Sequence, residues 1–193
     1  MRRSLLQRFH SCVDQNLIAQ IESNSFSKTV ARLNAYKKEN IKVEIATKAK
    51  NILVNGIEIK IPAKELAFYL WLSQQPGRKI DADRDFCDSS VYSASYLRVY
   101  SLIASDSRVF KSFGVDDKAV EDLSEKELSA LPELKSFTKE WVQQARSKIN
   151  KEFKRWLDTA AADAVSIDSD EYNTKLHEVC YSISEALVVE HDL

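Results

Sequence analysis

Residues 54–72 read VNGIEIKIPAKELAFYLWL, and this stretch decides the fold of the 193-residue chain. Asn55-Gly56 predicts a tight β-hairpin, because both residues tolerate the positive φ that a type I′ turn requires. Pro62 ends the second strand and suits the first turn of a helix. The helix predicted from about Ala63 to Gln74 is apolar on nearly every side, so we expect it to lie at the centre of the domain.

Upstream of this stretch, the apolar pattern predicts strands preceded by helices. Alternation of apolar residues between Ile41 and Ile61 indicates a small antiparallel sheet that includes the hairpin. From Arg3 to about Lys38, apolar residues recur at three- and four-residue intervals, which predicts two amphipathic helices. The first helix carries an apolar stripe that either packs on the body of the protein or on a second copy of the chain, and on the second interpretation we expect a homodimer. The stripe consists of Leu5, Phe9, Val13, Leu17 and Ile21.

Downstream, the pattern predicts a helical insertion, a long helix and a closing hairpin. The insertion spans about residues 81–135, with a capping box that begins at Ser124. The long helix runs from Thr138 to Leu157. Its predicted buried stripe consists of Val142, Ala145, Ile149, Phe153 and Trp156. Two strands, Val165 to Asp168 and Leu176 to Ile183, are expected to pack beside this helix as a wing, because a lone two-stranded ribbon is only marginally stable.

The order of these elements predicts the fold class. A leading sheet, a buried helix, a helical middle, a long helix and a closing hairpin indicate an α+β fold with a winged helix-turn-helix body. We therefore predict an N-terminal helical extension over residues 1–40. Residues 41–193 form the predicted winged-helix-like domain, with the helical insertion inside it.

Composition limits the classes of function. The 28 basic and 29 acidic residues give a net charge of −1, so any nucleic-acid site must be a local patch. Three separated cysteines without zinc-ligand spacing argue against a disulfide framework or a zinc site. The longest apolar run, Leu66 to Leu72, is far shorter than the ~20 residues that a bilayer span needs. The amino-terminal residues lack the apolar core of a signal peptide, so we expect a cytoplasmic protein without a membrane partner.

The long helix provides the candidate site. Between Lys135 and Arg155 there are seven basic and two acidic residues, an excess of five positive charges. At about 100° per residue, a polar face lies opposite the apolar stripe. Lysine and arginine meet phosphates, while glutamine and serine read base edges. The predicted nucleic-acid-binding residues are Gln144, Ser147, Lys148, Lys151, Lys154 and Arg155. The alternative interpretation is an ordinary solvated helix face.

Catalysis has less support in the sequence. The three histidines, His10, His177 and His191, stand isolated, and no serine or carboxylate pair has the spacing of a hydrolytic site. We therefore predict no catalytic residue, no metal and no cofactor. The enzymatic alternative is a metal-independent nuclease that uses Tyr92, Tyr96 and Arg98 together with nearby lysines. The tyrosines are more simply interpreted as amphipathic packing residues.

Two family resemblances start from the stretch quoted first. Together with Pro76-Gly77-Arg78, residues 54–72 resemble the start of the DNA-binding domain of OmpR-type response regulators. Pro62 to Leu72, Ser147 to Asn150 and Val165 to Ile183 are similar to the carboxyl-terminal part of the CRISPR-associated ring nuclease family of type III systems. This second resemblance covers roughly residues 26–189, and it implies a winged-helix-like body with a role in antiviral defence.

The chain departs from the ring nucleases in one respect. In that family, ring-nucleotide binding and cleavage belong to an amino-terminal Rossmann-like domain. Here about 40 residues precede the sheet, and the three glycines are too far apart to form a phosphate loop. The resemblance therefore implies the binding body without the catalytic domain.

These observations predict a winged-helix protein that binds nucleic acid, with duplex DNA as the ligand, in a CRISPR or other defence system. The alternative is a protein-interaction or oligomerisation subunit that works with a separate defence partner. Four phosphate contacts, from Lys148, Lys151, Lys154 and Arg155, predict a log–log salt slope of about −3.6 for DNA binding. An interaction subunit would not show this salt dependence.

Overall fold

The computed structural model describes residues 41–173, 178–184 and 188–191. These residues form an α+β domain with two small sheets, which confirms the predicted class. The predicted amino-terminal helices and their dimerisation stripe lie outside the described residues. No helix in the described ranges is both long enough and apolar enough to cross a bilayer.

The leading sheet contains the predicted hairpin. Strands β1 (Lys42–Ala46), β2 (Asn51–Val54) and β3 (Ile57–Lys60) pair in antiparallel order. Asn55 and Gly56 form the turn between β2 and β3 with φ of 48° and 77°, as a type I′ turn requires. The Asn55 side chain also accepts a hydrogen bond of 2.9 Å from the backbone N–H of Lys42. The hairpin prediction is confirmed.

Helix α1 (Ala63–Ser73) follows β3 and is the centre of the domain, as predicted. Every residue from Glu65 to Leu72 is buried, because the helix is covered on all sides. Its Tyr69 hydroxyl donates a hydrogen bond of 2.9 Å to the Val165 carbonyl. Pro62 occupies the N-cap position of α1, one residue before the position that the sequence predicts for it.

A second sheet was only partly predicted. After a short 3-10 turn at Pro76–Arg78, strand β4 (Lys79–Ala82) pairs with the last strand of the closing hairpin. The three strands have the order β4-β6-β5, where β5 is Asp168–Asn173 and β6 is Glu178–Ser182. The sheet is antiparallel throughout.

In the structure, the predicted helical insertion consists of five helices. They are α2 (Arg84–Asp88), α3 (Val91–Ile103), α4 (Ser107–Ser112), α5 (Asp117–Asp122) and α6 (Glu125–Ser129). Aspartate and serine N-caps fix where the short helices begin; for example, the Asp116 side chain accepts a hydrogen bond of 2.8 Å from the Ala119 N–H. The capping box at Ser124 and Glu127 is confirmed. Helix α3 carries a buried face into the core, so the insertion is an integral layer.

Gly114 ends helix α4 with a Schellman motif. Its φ is +85°, its N–H donates to the Lys111 carbonyl at 3.0 Å, and the Val115 N–H donates to the Phe110 carbonyl at 3.2 Å. The loop around Lys135 packs against the loop at Gly114, and the Lys135 N–H donates a hydrogen bond of 2.9 Å to the Phe113 carbonyl. Gly114 therefore allows two loops to approach closely.

Helix α7 (Lys139–Trp156) is the predicted long helix, and α8 (Thr159–Val165) follows it. Helix α8 corrects the prediction that a strand begins at Val165, because the first strand of the hairpin begins at Asp168. The reason is local: Asp158 caps α8 by accepting from the Ala161 N–H at 3.0 Å, and four alanines favour the helix.

The leading sheet has a fourth strand that the sequence did not predict. Strand β7 (Val188–His191) pairs with β1 in parallel, with Lys42 opposite Val188. The sheet order is therefore β3-β2-β1-β7.

Candidate nucleic-acid interface

Helix α7 is fixed at its start and along one side. The Thr138 hydroxyl accepts from the Trp141 N–H at 3.1 Å and begins the helix. The stripe Val142, Ala145, Ile149 and Phe153 is buried as predicted. Phe153 packs edge-on against Tyr69 of α1, with ring centroids 5.4 Å apart. The opposite side of α7 is thereby held towards solvent.

An aromatic cluster holds the start of α7. Trp141 lies 4.7 Å from Phe137 between ring centroids, and Phe137 in turn stacks on Phe86 at 5.6 Å. Tyr96 joins this cluster, is fully buried, and donates its hydroxyl to the Lys64 carbonyl at 3.1 Å. Tyr92 packs on Phe86 at 4.8 Å. Both tyrosines that the nuclease alternative would use are thus packing residues of this cluster.

All six predicted binding residues lie on the exposed side of α7. Each of them is exposed: Gln144, Ser147, Lys148, Lys151, Lys154 and Arg155. The helical period places them opposite the buried stripe, as the sequence predicts. The structure therefore brings the whole set together on one surface.

Four of the six side chains make no hydrogen bond or ion pair with the described part of the chain. Gln144, Ser147, Lys151 and Lys154 form no hydrogen bond or ion pair with the residues that the structure describes. Among the described residues, the donors and acceptors of these side chains have no partner. We call these four residues the open face.

Lys148 has a different environment. Its Nζ lies 2.9 Å from Oε1 of Glu65, a side chain that is only 4% exposed. Glu65 belongs to the first turn of α1, where a carboxylate complements the helix dipole. An isolated buried carboxylate is costly, so Lys148 stabilises the fold by pairing with it.

A further lysine lies near this pair. Lys64 Nζ stands 4.8 Å from the centroid of the Trp141 ring. Burial lowers the pKa of Lys64 and the charge of Lys148 lowers it further, whereas the carboxylate of Glu65 raises it. Sequence reasoning missed Lys64, because only the packing of α1 against α7 brings it beside the helix.

Arg155 lies at the end of α7 in a group with Glu152 and Trp156. Its guanidinium is 3.7 Å from the Glu152 carboxylate and 5.4 Å from the centre of the Trp156 ring. The Trp156 Nε1 donates to Glu152 at 3.3 Å. Trp156 is 52% exposed, which corrects the prediction that it completes the buried stripe. It is the last residue of the helix, and the chain turns away at Leu157 before another element covers the indole.

The closing hairpin is joined to α7 just before β5 begins. Arg146 Nε and Asn150 Nδ2 donate to the Ile167 carbonyl at 2.8 and 2.9 Å, and the Ile167 N–H donates to Asn150 Oδ1 at 2.9 Å. Three hydrogen bonds therefore fix the entry of the hairpin beside the long helix. These bonds place Ile167, the residue before β5, against α7, and the wing itself remains a prediction.

The exposed face of the β4-β6-β5 sheet is acidic. Asp81, Cys180 and Asp170 stand opposite one another across the three strands, and Asp168 lies on the same face. Burial and a hydrogen bond with Asp81 raise the pKa of the Cys180 thiol. Such a face is unfavourable for contact with phosphate.

Searches against family models, curated proteins and solved structures find no match to this chain. In the part of the chain that the structure describes, no three histidine, cysteine, aspartate or glutamate side chains are grouped as metal ligands.

Proposed function

We propose that this chain is a nucleic-acid-binding protein and that duplex DNA contacts the exposed side of α7. The observation that carries this proposal is the open face. Lys151 and Lys154 project from a rigid helix without an ion-pair partner in the described residues, and Gln144 and Ser147 beside them have unused hydrogen-bonding groups. Such a combination suits phosphate contact together with base contact.

The arrangement of elements supports a winged-helix version of this proposal. The strand after the first helix, β4, lies beside β6, the second strand of the closing hairpin, and β5 is on the outside. Three strands of a winged helix have this order, and the long helix α7 precedes the hairpin. Two features depart from the pattern: helix α8 separates α7 from β5, and helices α4 to α6 separate α3 from α7.

The salt dependence of DNA binding tests the proposal. Each phosphate contact contributes about −0.9 to the log–log slope of affinity against salt. We expect Lys151→Ala to flatten the slope by about one unit, and Lys151→Ala with Lys154→Ala by about two. Fluorescence anisotropy of a labelled duplex at several salt concentrations measures this change.

A matched control is available in the helical insertion. Lys118 and Lys126 are exposed lysines on α5 and α6, so their replacement by alanine removes the same charge from another surface. This control pair should leave the slope within a few tenths of the original value. If the α7 pair changes the slope no more than the control pair does, the interface assignment is wrong, and the interaction-subunit interpretation replaces it.

The proposed role in type III CRISPR or related defence depends on the family resemblance alone. So does the proposed separate partner protein.

A further inference from the structure

Lys64 is a half-buried lysine whose ammonium group has no acceptor among the described residues. It is the second residue of α1, and it forms no hydrogen bond or ion pair with residues 41–173, 178–184 or 188–191. The carboxylate next to it, that of Glu65, is already paired with Lys148 at 2.9 Å. The described chain therefore leaves a partly desolvated cation without a counter-charge of its own, and a bound anion would supply one.

The Trp141 ring fixes the position of this ammonium group. Lys64 Nζ lies 4.8 Å from the ring centroid, where the face of an indole attracts a cation. The ring itself is held by Phe137 at 4.7 Å and by Phe68 at 5.4 Å between centroids. A cation restrained in this way loses little further conformational entropy when it binds an anion.

Lys148 brings a second cation to the same place. Burial and the charge of Lys148 both lower the pKa of Lys64, although the carboxylate of Glu65 raises it, so the two ammonium groups lie within electrostatic range of each other. Lys148 is 60% exposed, and Glu65 accepts from only one of its three N–H groups. An anion that contacts both lysines would reduce the repulsion between them.

The open face continues from these two lysines. Trp141 and Lys148 are seven residues apart on α7, which places them within about 20° of each other around the helix axis. Gln144 lies one turn from each of them, and Lys151 lies one turn beyond Lys148 on the same side. The printed contacts of Lys64 and Lys148 therefore connect α1 to the part of the open face that Gln144 and Lys151 form.

We infer that Lys64 and Lys148 together bind one phosphate group at the junction of α1 and α7, so that a nucleic-acid backbone bound by α7 continues onto α1. The two lysines and Glu65 sum to one positive charge, which matches the single negative charge of a phosphodiester. Lysine is a common phosphate ligand, because its ammonium acts as a point charge with several donors. The inference rests on the proposed function, because it adds a contact to the same site.

Lysine acetylation read out by mass spectrometry tests the inference on the unmodified protein. A saturating DNA duplex should protect Lys64 and Lys148 from most of the acetylation that they undergo in the free protein. Lys111, which is exposed on α4, should stay as reactive as before and is the control. A lysine with a purely structural role would keep its reactivity when DNA is added.

The salt dependence of duplex binding supplies a second measurement. Lys64→Gln should flatten the log–log slope by about one unit, because the remaining pair of Lys148 and Glu65 carries no net charge to neutralise the phosphate. Lys64→Arg should keep the slope, since arginine keeps the positive charge. Lys111→Gln removes the same charge from another surface and should leave the slope unchanged.

Three results would overturn the inference. A Lys64 that stays unprotected, or a slope that Lys64→Gln does not change, would remove this contact, and the proposed function would still stand if Lys151 and Lys154 set the slope. Protection of Lys64 by millimolar inorganic phosphate but not by the duplex would assign the pair of lysines to a free phosphate group. If the unmodified protein does not bind the duplex, the proposed function and this contact fail together.

Discussion

Replacing Lys148 by alanine is expected to lower the free energy of unfolding by about 2 kcal/mol. The substitution leaves the carboxylate of Glu65 buried without its counter-charge, which costs about 3–5 kcal/mol in a fully buried pair. The lysine side chain is 60% exposed, so water already screens part of the interaction, and we expect the smaller figure. Urea denaturation measures the change as a shift of the midpoint at constant slope.

Glu65→Gln distinguishes this explanation from a general loss of helix stability. In the Lys148→Ala background it should restore most of the lost stability, because the buried charge is gone. Lys151→Ala is the control on the same helix, and as an exposed, unpaired residue it should change stability by no more than about 0.5 kcal/mol. If the two lysine variants lose equal stability, the pair with Glu65 contributes nothing to the fold.

Gly114→Ala is expected to destabilise the domain by about 3 kcal/mol or more. Alanine disfavours the φ of +85° by roughly 1–2 kcal/mol. In addition, its Cβ would collide with the backbone carbonyl of Glu133, which cannot rotate away as a side chain does. Relief of this contact requires the two loops at Gly114 and Lys135 to separate, and these loops support the segment before α7. Urea denaturation again provides the measurement.

Gly56→Ala is the matched comparison. Gly56 has a similar φ of +77°, but a Cβ at this position would meet no atom within 4 Å. Gly56→Ala should therefore lower the free energy of unfolding only through the unfavourable φ of alanine, by about 1 kcal/mol. If both glycine variants lose the same free energy of unfolding, the loops at Gly114 and Lys135 can move apart without an energetic penalty, and the explanation for Gly114 is wrong.

The parts of the fold that could be predicted from the sequence depend on local signals. Asn55-Gly56 specifies a turn by its own backbone preferences, and the stripe of α7 follows from a period of 3.6 residues. The exposed position of Lys151 follows from the same period. For these residues the local pattern and the final structure agree.

The rest depends on partners distant in the chain. Strand β4 has only four residues, and its pairing with β6 joins Lys79 to Ser182, so no local pattern identifies it. The role of Lys148 is set by Glu65, 83 residues earlier. Periodicity also gives the direction of Trp156 around the helix axis, but it does not say whether another element reaches the end of the helix to cover it.

The leading sheet can be completed only after strand β7 has been synthesised, because β7 pairs with β1. Residues 42 and 188 are neighbours in the sheet but 146 positions apart in the chain. The β1–β2–β3 meander can form soon after it leaves the ribosome, whereas the free edge of β1 stays open until residues 188–191 emerge. An open edge with buried-type residues such as Val43 and Ile45 is a template for pairing with other chains. Contacts this distant in sequence predict slow refolding after dilution from denaturant.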